Sequence, residues 1–412
     1  MKASSIKRLT VALFILLALI FGGQVLRFSR YVLIDDKWYD YYGGDACLRR
    51  DEILCAHQGV NSFHIWNGDT KLAGFVPYHR PDITNVVATS NDRAVHAYPP
   101  WHTAVSYWFG WVSERTYLVV MTVFFWLCLW FVVLESIRIT KARFKDYWLI
   151  AGLALAMIAQ GVEICFTSLN YGVLALAAFL LMNKALERNQ NVLAGLAWAV
   201  MMIKPQVGLL FGWPLFWKRH YLTIVTAAVI CLAETVVTSF LVHESVINLI
   251  LQVPQIGGPY PKGLIAGCLK PILGSAAPIV VMATFFILTG LATWGLRKNN
   301  DFIICCLPVA LASSVWTYCG IYDRIILLPV YIVLIGKFLE MQKPWWNGWK
   351  MIGGFYVMMA IFIAVWTLKM SVDPFAPSVQ ASHALRIARD TSWGLSLVVF
   401  IVLFFRKEFR PK

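Results

Sequence analysis

Charge is scarce in this sequence: Asp, Glu, Lys and Arg make up 14% of its 412 residues, against roughly 25% in soluble globular chains. With 59% hydrophobic residues and a mean hydropathy of +0.65, too few polar side chains remain to cover a water-facing surface. That excludes a soluble enzyme and a disordered regulator. Acids are scarcer than bases, 22 against 36, yet the bases sit between apolar segments rather than on one face, which argues against a nucleic-acid-binding protein. There is no Walker-type phosphate loop, no nucleophile elbow, no HExxH and no CxxC pair, so nucleotide, serine-hydrolase and zinc-protease chemistries lack their signatures. The nine cysteines stand mostly alone in apolar segments, where a thiol packs as a small hydrophobe. Only Cys47 and Cys55 share the first hydrophilic loop, where an oxidising face would let them form a small disulfide. No repeat of fixed period is present, which disfavours a transporter built from inverted halves.

What the sequence does have is a series of apolar runs. Segments of the length a membrane helix needs occupy residues 9–26, 117–137, 147–165, 170–183, 221–241, 276–296, 302–318, 324–339, 351–368 and 392–405. A further apolar region, 191–217, is broken by Lys204-Pro205 and flanked by Lys184, Arg188, Lys218 and Arg219. Its arms are too short to cross, so a hairpin entering and leaving on one side fits best, either re-entrant or as two short helices. The pattern predicts an all-α polytopic membrane protein, one domain over residues 1–412, with about ten full transmembrane helices plus that hairpin. The short links at 138–145, 297–298 and 406–407 are densely basic. The positive-inside rule therefore puts them and both termini in the cytoplasm, with an uncleaved first span, and leaves loops 27–101 and 242–275 outside.

Acids show the opposite bias. Asp35, Asp36, Asp40, Asp45, Asp51, Glu52, Asp69, Asp82 and Asp92 all fall in the first outside loop. Directly after the first span, residues 31–42 read YVLIDDKWYDYY. Carboxylates beside aromatic rings at a membrane surface are partly desolvated, which makes Asp35, Asp36 and Asp40 stronger bases; the rings suit sugar stacking or an interfacial belt. The loop ends on Tyr98-Pro99-Pro100-Trp101-His102, where two prolines fix the entry angle of the next segment. Ionisable residues inside apolar segments are Glu163, Lys204, Glu234, Asp323 and Arg324. Such groups are rare in membranes and need a partner or a wet cavity. For Lys204 the options are a pair with Glu163 or a role in binding; Asp323-Arg324 is placed at the outer face. The second outside loop offers Lys262 and Lys270 among Gly and Pro, a loose arrangement with some attraction for phosphate.

Four features in order resemble the GT-C superfamily of polytopic glycosyltransferases, in particular the bacterial polyprenyl-phosphate-mannose-dependent mannosyltransferases: the acidic-aromatic stretch from Asp35 to Tyr42, the Tyr98-Pro99-Pro100 corner, Lys204-Pro205-Gln206 after the Ala-Gly-Leu-Ala at 194–197, and Tyr322-Asp323 leading into Pro329. Size, basic ends and the hairpin are also similar to phage-type O-antigen glucosyltransferases. The resemblance implies a transferase of the bacterial cytoplasmic membrane with its active site facing the exterior. Mannose or glucose would pass, with inversion, from a polyprenyl-phosphate-sugar donor to a glycan or glycolipid acceptor. It implies a base among Asp35, Asp36 and Asp40, and donor or substrate contacts from Lys204, Lys270, Arg324, Tyr98, His102, Gln206 and Lys262. No cofactor or metal is expected, because a lipid monophosphate leaving group already carries its charge. The rival reading is a lipid-sugar flippase without transferase activity, which would use Glu163, Lys204 and Glu234 to line a pathway.

The charge map makes the topology testable. Single cysteines introduced at Lys412 and at Lys298 should resist a membrane-impermeant maleimide in intact cells, and one introduced at Asp69 should react. Labelling of the Lys412 position from outside would overturn the scheme.

Overall fold

A bilayer supplies no hydrogen-bond partners, so backbone groups crossing it must be satisfied within the segment. In the computed structural model, which describes residues 44–62, 98–253, 277–313 and 321–340 with a few positions between 22 and 34, every described element is accordingly helical. Helix α1 (Gly44–His57) lies in the first long loop; α2 (Pro100–Ser106) ends that loop and runs into a 3₁₀ turn, Tyr107–Trp111. Then come α3 (Glu114–Lys141), α4 (Tyr147–Ser168), α5 (Gly172–Glu187) and α6 (Asn191–Met201). After α6 the chain makes α7 (Pro205–Gly208), a 3₁₀ turn at Leu209–Phe211 and α8 (Gly212–Trp217), followed by α9 (Tyr221–Val242) and α10 (Val246–Gln252). The last described elements are α11 (Ala277–Leu296), α12 (Phe302–Ser313), a 3₁₀ helix at Ile321–Leu327 and α13 (Leu328–Glu340).

Three of the described helices are long and apolar enough to cross a membrane: Glu114–Lys141, Tyr221–Val242 and Ile279–Leu296. Leu127, Trp130, Val229, Phe240, Ile279 and Leu291 stand exposed on them, as side chains facing lipid would. Helix α3 shows why its limits fall where they do. Ser113 caps it by accepting the Thr116 N–H at 3.2 Å, Glu114 sits in the first turn, and Arg138 and Lys141 in the last, each charge complementing the helix dipole. The expected spans at 351–368 and 392–405, all but a few positions of that at 9–26, and both termini lie outside the described residues.

Elsewhere elements and apolar runs do not always coincide. The 324–339 run splits: 3₁₀ geometry holds to Leu327, and the α-helix starts at Leu328 with Pro329 in its first turn, where a missing N–H costs nothing. The Lys204-Pro205 break is a hairpin of two short arms. Pro205 cannot continue α6, and Trp198 Nε1 donates to the Gly208 carbonyl at 3.0 Å across the arms. Both arms start and finish at one end of the bundle, where Thr223 Oγ1 donates to the Asn191 carbonyl at 3.1 Å. That end is laced with ion pairs. Glu135 holds Arg138 at 2.5 Å and also Lys184; Arg138 reaches Glu187 at 2.7 Å; Arg143 binds Asp301 through two bonds of 2.7 Å.

The first loop contains a helix that hydropathy did not announce. Helix α1 docks on the 3₁₀ turn: Arg50 Nη2 donates to the Val112 carbonyl at 3.0 Å, and His57 Nε2 to that of Tyr107 at 2.7 Å, with its ring stacked on Tyr107. Gly110 allows this approach, since a Cβ there would lie 2.2 Å from the His57 ring. The same helix decides the disulfide that the sequence left open between Cys47 and Cys55. Cys47 and Cys55 are both on α1, and eight helical residues separate their Cα atoms by about 12 Å, well past the ~7 Å that a disulfide spans.

Close packing of α6 on α9 depends on Gly195. A Cβ there would sit 2.5 Å from Thr226 Cβ and 2.8 Å from the Thr223 carbonyl oxygen. Gly195→Val should therefore destabilise by about 1–3 kcal/mol, measured as a lowered thermal unfolding midpoint in detergent. Leu196→Ala, one position along on an exposed side, should leave that midpoint nearly unmoved.

Candidate functional site

The geometry around α2 follows from its two prolines. Pro99 is extended (φ −72°, ψ 161°) and Pro100 starts the helix, so the short helix leaves the loop at a fixed angle. Two hydrogen bonds then clamp it. Trp101 Nε1 donates to the Met202 carbonyl at the hairpin tip (3.0 Å), and Thr238 Oγ1 of α9 donates to the Pro100 carbonyl (2.7 Å). This aims His102 inward, where it is 2% exposed.

His102 Nε2 lies 3.1 Å from the Tyr171 hydroxyl and 3.0 Å from Ser106 Oγ, one helical turn on. Tyr98 completes the cluster, its ring 5.0 Å from that of His102 and edge-on to Tyr171 at 5.1 Å. The Arg49 guanidinium stacks 4.3 Å over the Tyr98 ring and pairs with Glu52 on the same helix. Tyr171 is in place because α4 ends on Leu169 in a left-handed conformation (φ 48°) and Asn170 Oδ1 accepts the Gly172 N–H at 3.1 Å, turning the chain sharply into α5. The product is a buried set of hydroxyls around one imidazole.

Lys204 comes two residues after Met202, the residue whose carbonyl Trp101 holds. It caps α7 at the hairpin break and is 2% exposed; its ammonium is paired with the carboxylate of Asp323, also 2% exposed, on the 3₁₀ helix Ile321–Leu327. This decides the pairing that the sequence left open. Glu163 is not the partner: it is 6% exposed, and its Oε2 has no hydrogen bond among the described residues. Asp323 reaches Lys204 because α12 leans on the hairpin, Ser313 Oγ donating to the Val207 carbonyl at 3.1 Å. Asp323 is thus buried against the hairpin tip.

Of the residues singled out in the sequence, Tyr98 and His102 touch each other, and Lys204 is joined to them through Trp101. Gln206 flanks Lys204, half-buried, and Arg324 follows Asp323, also half-buried. Asp35, Asp36, Asp40, Lys262 and Lys270 lie outside the described residues. The residues that sequence reasoning passed over are Ser106, Tyr171, Arg49 and Glu52. Ser106 was accessible as the i+4 neighbour of His102 on a helix; nothing in the pattern marked Tyr171. Among the described residues there is no group of three or more His, Cys, Asp or Glu that could hold a metal ion.

The profile of glycosyltransferase family 87 matches residues 96–302, half of the chain. The match begins just before Tyr98 and takes in the α2 corner and the whole hairpin. No curated protein and no solved structure matches the chain.

Removing one partner of a buried ion pair strands the other charge, typically at a cost of about 3–5 kcal/mol, whereas replacing both by apolar groups is often neutral. Lys204→Met should therefore lower the yield of monodisperse protein in size-exclusion chromatography, and adding Asp323→Leu should restore it. Glu163→Gln in the Lys204→Met background should not.

Proposed function

The chain belongs to glycosyltransferase family 87, a GT-C-type family, and is a membrane glycosyltransferase; from that premise we propose that it transfers a hexose, mannose or glucose, from a polyprenyl-phosphate donor to a glycan or glycolipid on the outer face of the bacterial cytoplasmic membrane. The observation that carries this reading is the cation at the hairpin tip. Lys204 is buried, tethered by Trp101 to the Tyr98–His102 corner, and paired with Asp323. Arg324 follows Asp323 in the chain, so two cations gather at this place, which supports binding of a lipid monophosphate.

In this scheme the phosphate lies against Lys204 and Arg324, with Lys262 and Lys270 from the second outer loop contributing further positive charge. Tyr98, His102 and Gln206 contact the donor sugar. One of Asp35, Asp36 and Asp40 takes the proton of an acceptor hydroxyl, whose oxygen forms a bond to the anomeric carbon. The bond from that carbon to the phosphate oxygen breaks, its electron pair leaves with the lipid phosphate, and configuration inverts. Fixed positive charge where negative charge collects lowers the barrier without reorganisation. Asp35 and Asp36 stand a few residues beyond the first apolar run, so the membrane sets their depth near an outer-leaflet donor.

Asn is nearly isosteric with Asp but cannot accept the proton. In purified protein given radiolabelled polyprenyl-phosphate-mannose or -glucose, Asp→Asn at position 35 or 36 should cost at least ~10²-fold in turnover with donor binding retained. Asp69→Asn and Asp92→Asn should be tolerated. Near-normal turnover in the Asp35→Asn/Asp36→Asn double variant would remove both from the mechanism and leave Asp40 to be tested.

A further inference from the structure

Two short elements at the α2 end of the bundle leave apolar side chains uncovered. In and after α2, Val105, Trp108 and Trp111 are exposed, the two tryptophans by 49% and 72%. They follow one another at intervals of three, and both tryptophans belong to the 3₁₀ turn Tyr107–Trp111, where a three-residue repeat sets side chains in line. His102, Ser106 and Phe109 point the other way and are buried. Each tryptophan has one side held. Trp108 stacks on Phe109 with 3.7 Å between ring centres, and Trp111 meets the His57 ring edge-on at 5.0 Å. In α10, Ile247, Ile250 and Leu251 are exposed while Leu249 is buried. Exposed polar residues border both strips: Ser113 and Arg115 beyond Trp111, Ser245 and Asn248 beside Ile247.

Apolar strips rimmed by polar residues mark a contact surface, and the neighbouring helices select the partner. Trp111 comes three residues before α3 and Ile247 five residues after α9, both helices long and apolar enough to cross a membrane. An extended chain covers at most about 3.6 Å per residue, so Trp111 stays within about 11 Å of the start of α3. At 1.5 Å per residue α3 is about 42 Å long, close to the ~40–45 Å of a bilayer with its headgroups. Its first turn therefore falls in the headgroup layer, and Trp111 with it. Further along α3 the exposed residues are again apolar, among them Val120, Val123 and Leu127. Tryptophan, with a broad apolar ring and one N–H, suits the boundary between hydrocarbon and water. A glycan would stack on the rings but has no use for Val105, Ile247, Ile250 or Leu251.

We propose that the α2–3₁₀ segment and α10 lie in the membrane–water interface, with these six side chains inserted among lipid headgroups and the upper acyl chains. The proposal does not depend on the transferase reading. It gives the short helix that carries Trp101 and His102 a second support, the lipid surface, besides the hairpin tip and α9.

The test uses full-length protein in nanodiscs of phosphatidylcholine and phosphatidylglycerol. Two photoactivatable phosphatidylcholines are added, one with its diazirine near the acyl carbonyl and one at the chain end, and adducts are mapped by peptide mass spectrometry. The carbonyl-end reagent should label residues 105–111 and 247–251 several-fold more than the chain-end reagent does, and Leu127, midway along α3, should show the reverse. Trp108→Ser/Trp111→Ser, a change at exposed positions, should lower carbonyl-end labelling of its own segment several-fold and leave the labelling of Leu127 unchanged. Absence of lipid adducts on the two segments would overturn the proposal, as would unchanged labelling in the double variant. Hydroxyl-radical footprinting of the same nanodiscs gives the alternatives. Ready oxidation of both tryptophans would identify a water-facing surface, and protection from radicals and lipid reagents alike a protein-covered one; either result overturns the proposal.

Discussion

A lysine ammonium with no access to water has to find a negative charge inside the protein, and in this chain that requirement organises the region around it. Lys204 lies at the tip of a hairpin whose arms are too short to anchor themselves, and Asp323 comes from a different part of the bundle. Their pairing holds the hairpin tip against the 3₁₀ helix Ile321–Leu327. The tip in turn holds Trp101, and Trp101 positions the helix that carries His102. A dry ion pair of this kind contributes little net stability compared with apolar replacements. What it supplies is position, because few other arrangements of the same helices would satisfy both charges.

The two ends of the bundle use charge differently. At the end where the hairpin arms begin and finish, Glu135, Arg138, Lys184, Glu187, Arg143 and Asp301 form partly exposed pairs linking successive helices. At the α2 end the described charges are mostly buried, and hydroxyls and aromatic rings surround His102. Surface pairs of the first kind are individually weak, though Arg143 and Asp301 gain from two parallel bonds. The second kind creates a polar interior shielded from water, where an additional hydrogen bond to a ligand counts for more.

Much of the frame was legible in the sequence because hydropathy has a short range. Helix α9 spans the 221–241 run to within a residue, and Lys204-Pro205 marked the hairpin through proline chemistry alone. The partner of Lys204 was not legible. Glu163 was the one carboxylate set against Lys204, and finding Asp323 instead needed the packing of segments more than a hundred residues apart. Helix α1 was hidden for a different reason: it lies in a hydrophilic loop and is held by His57 and Arg50 reaching carbonyls of the Tyr107–Val112 segment, so its own pattern is weak. The Cys47–Cys55 question stayed open for the same reason, since loop spacing and helical spacing imply different distances. For the candidate site, the Pro-Pro corner identified Tyr98 and His102, but Tyr171 reaches them only through a left-handed turn at Leu169, a conformation that a leucine does not announce.

The separation of Lys204 from Asp323 has a consequence for how the protein is made. The two partners are 119 residues apart, and a ribosome adding 5–20 residues per second needs on the order of ten seconds to cover that interval. Throughout it the hairpin has been synthesised and its counter-charge has not. A bare ammonium does not settle into hydrocarbon for that long at low cost, so the hairpin must wait at the interface or beside the insertion machinery. It enters its final depth only when the 3₁₀ segment emerges. The arms between Asn191 and Trp217 are therefore among the last parts to seat, although they precede α9 and α11 in the chain, and assembly of the α2 corner waits with them.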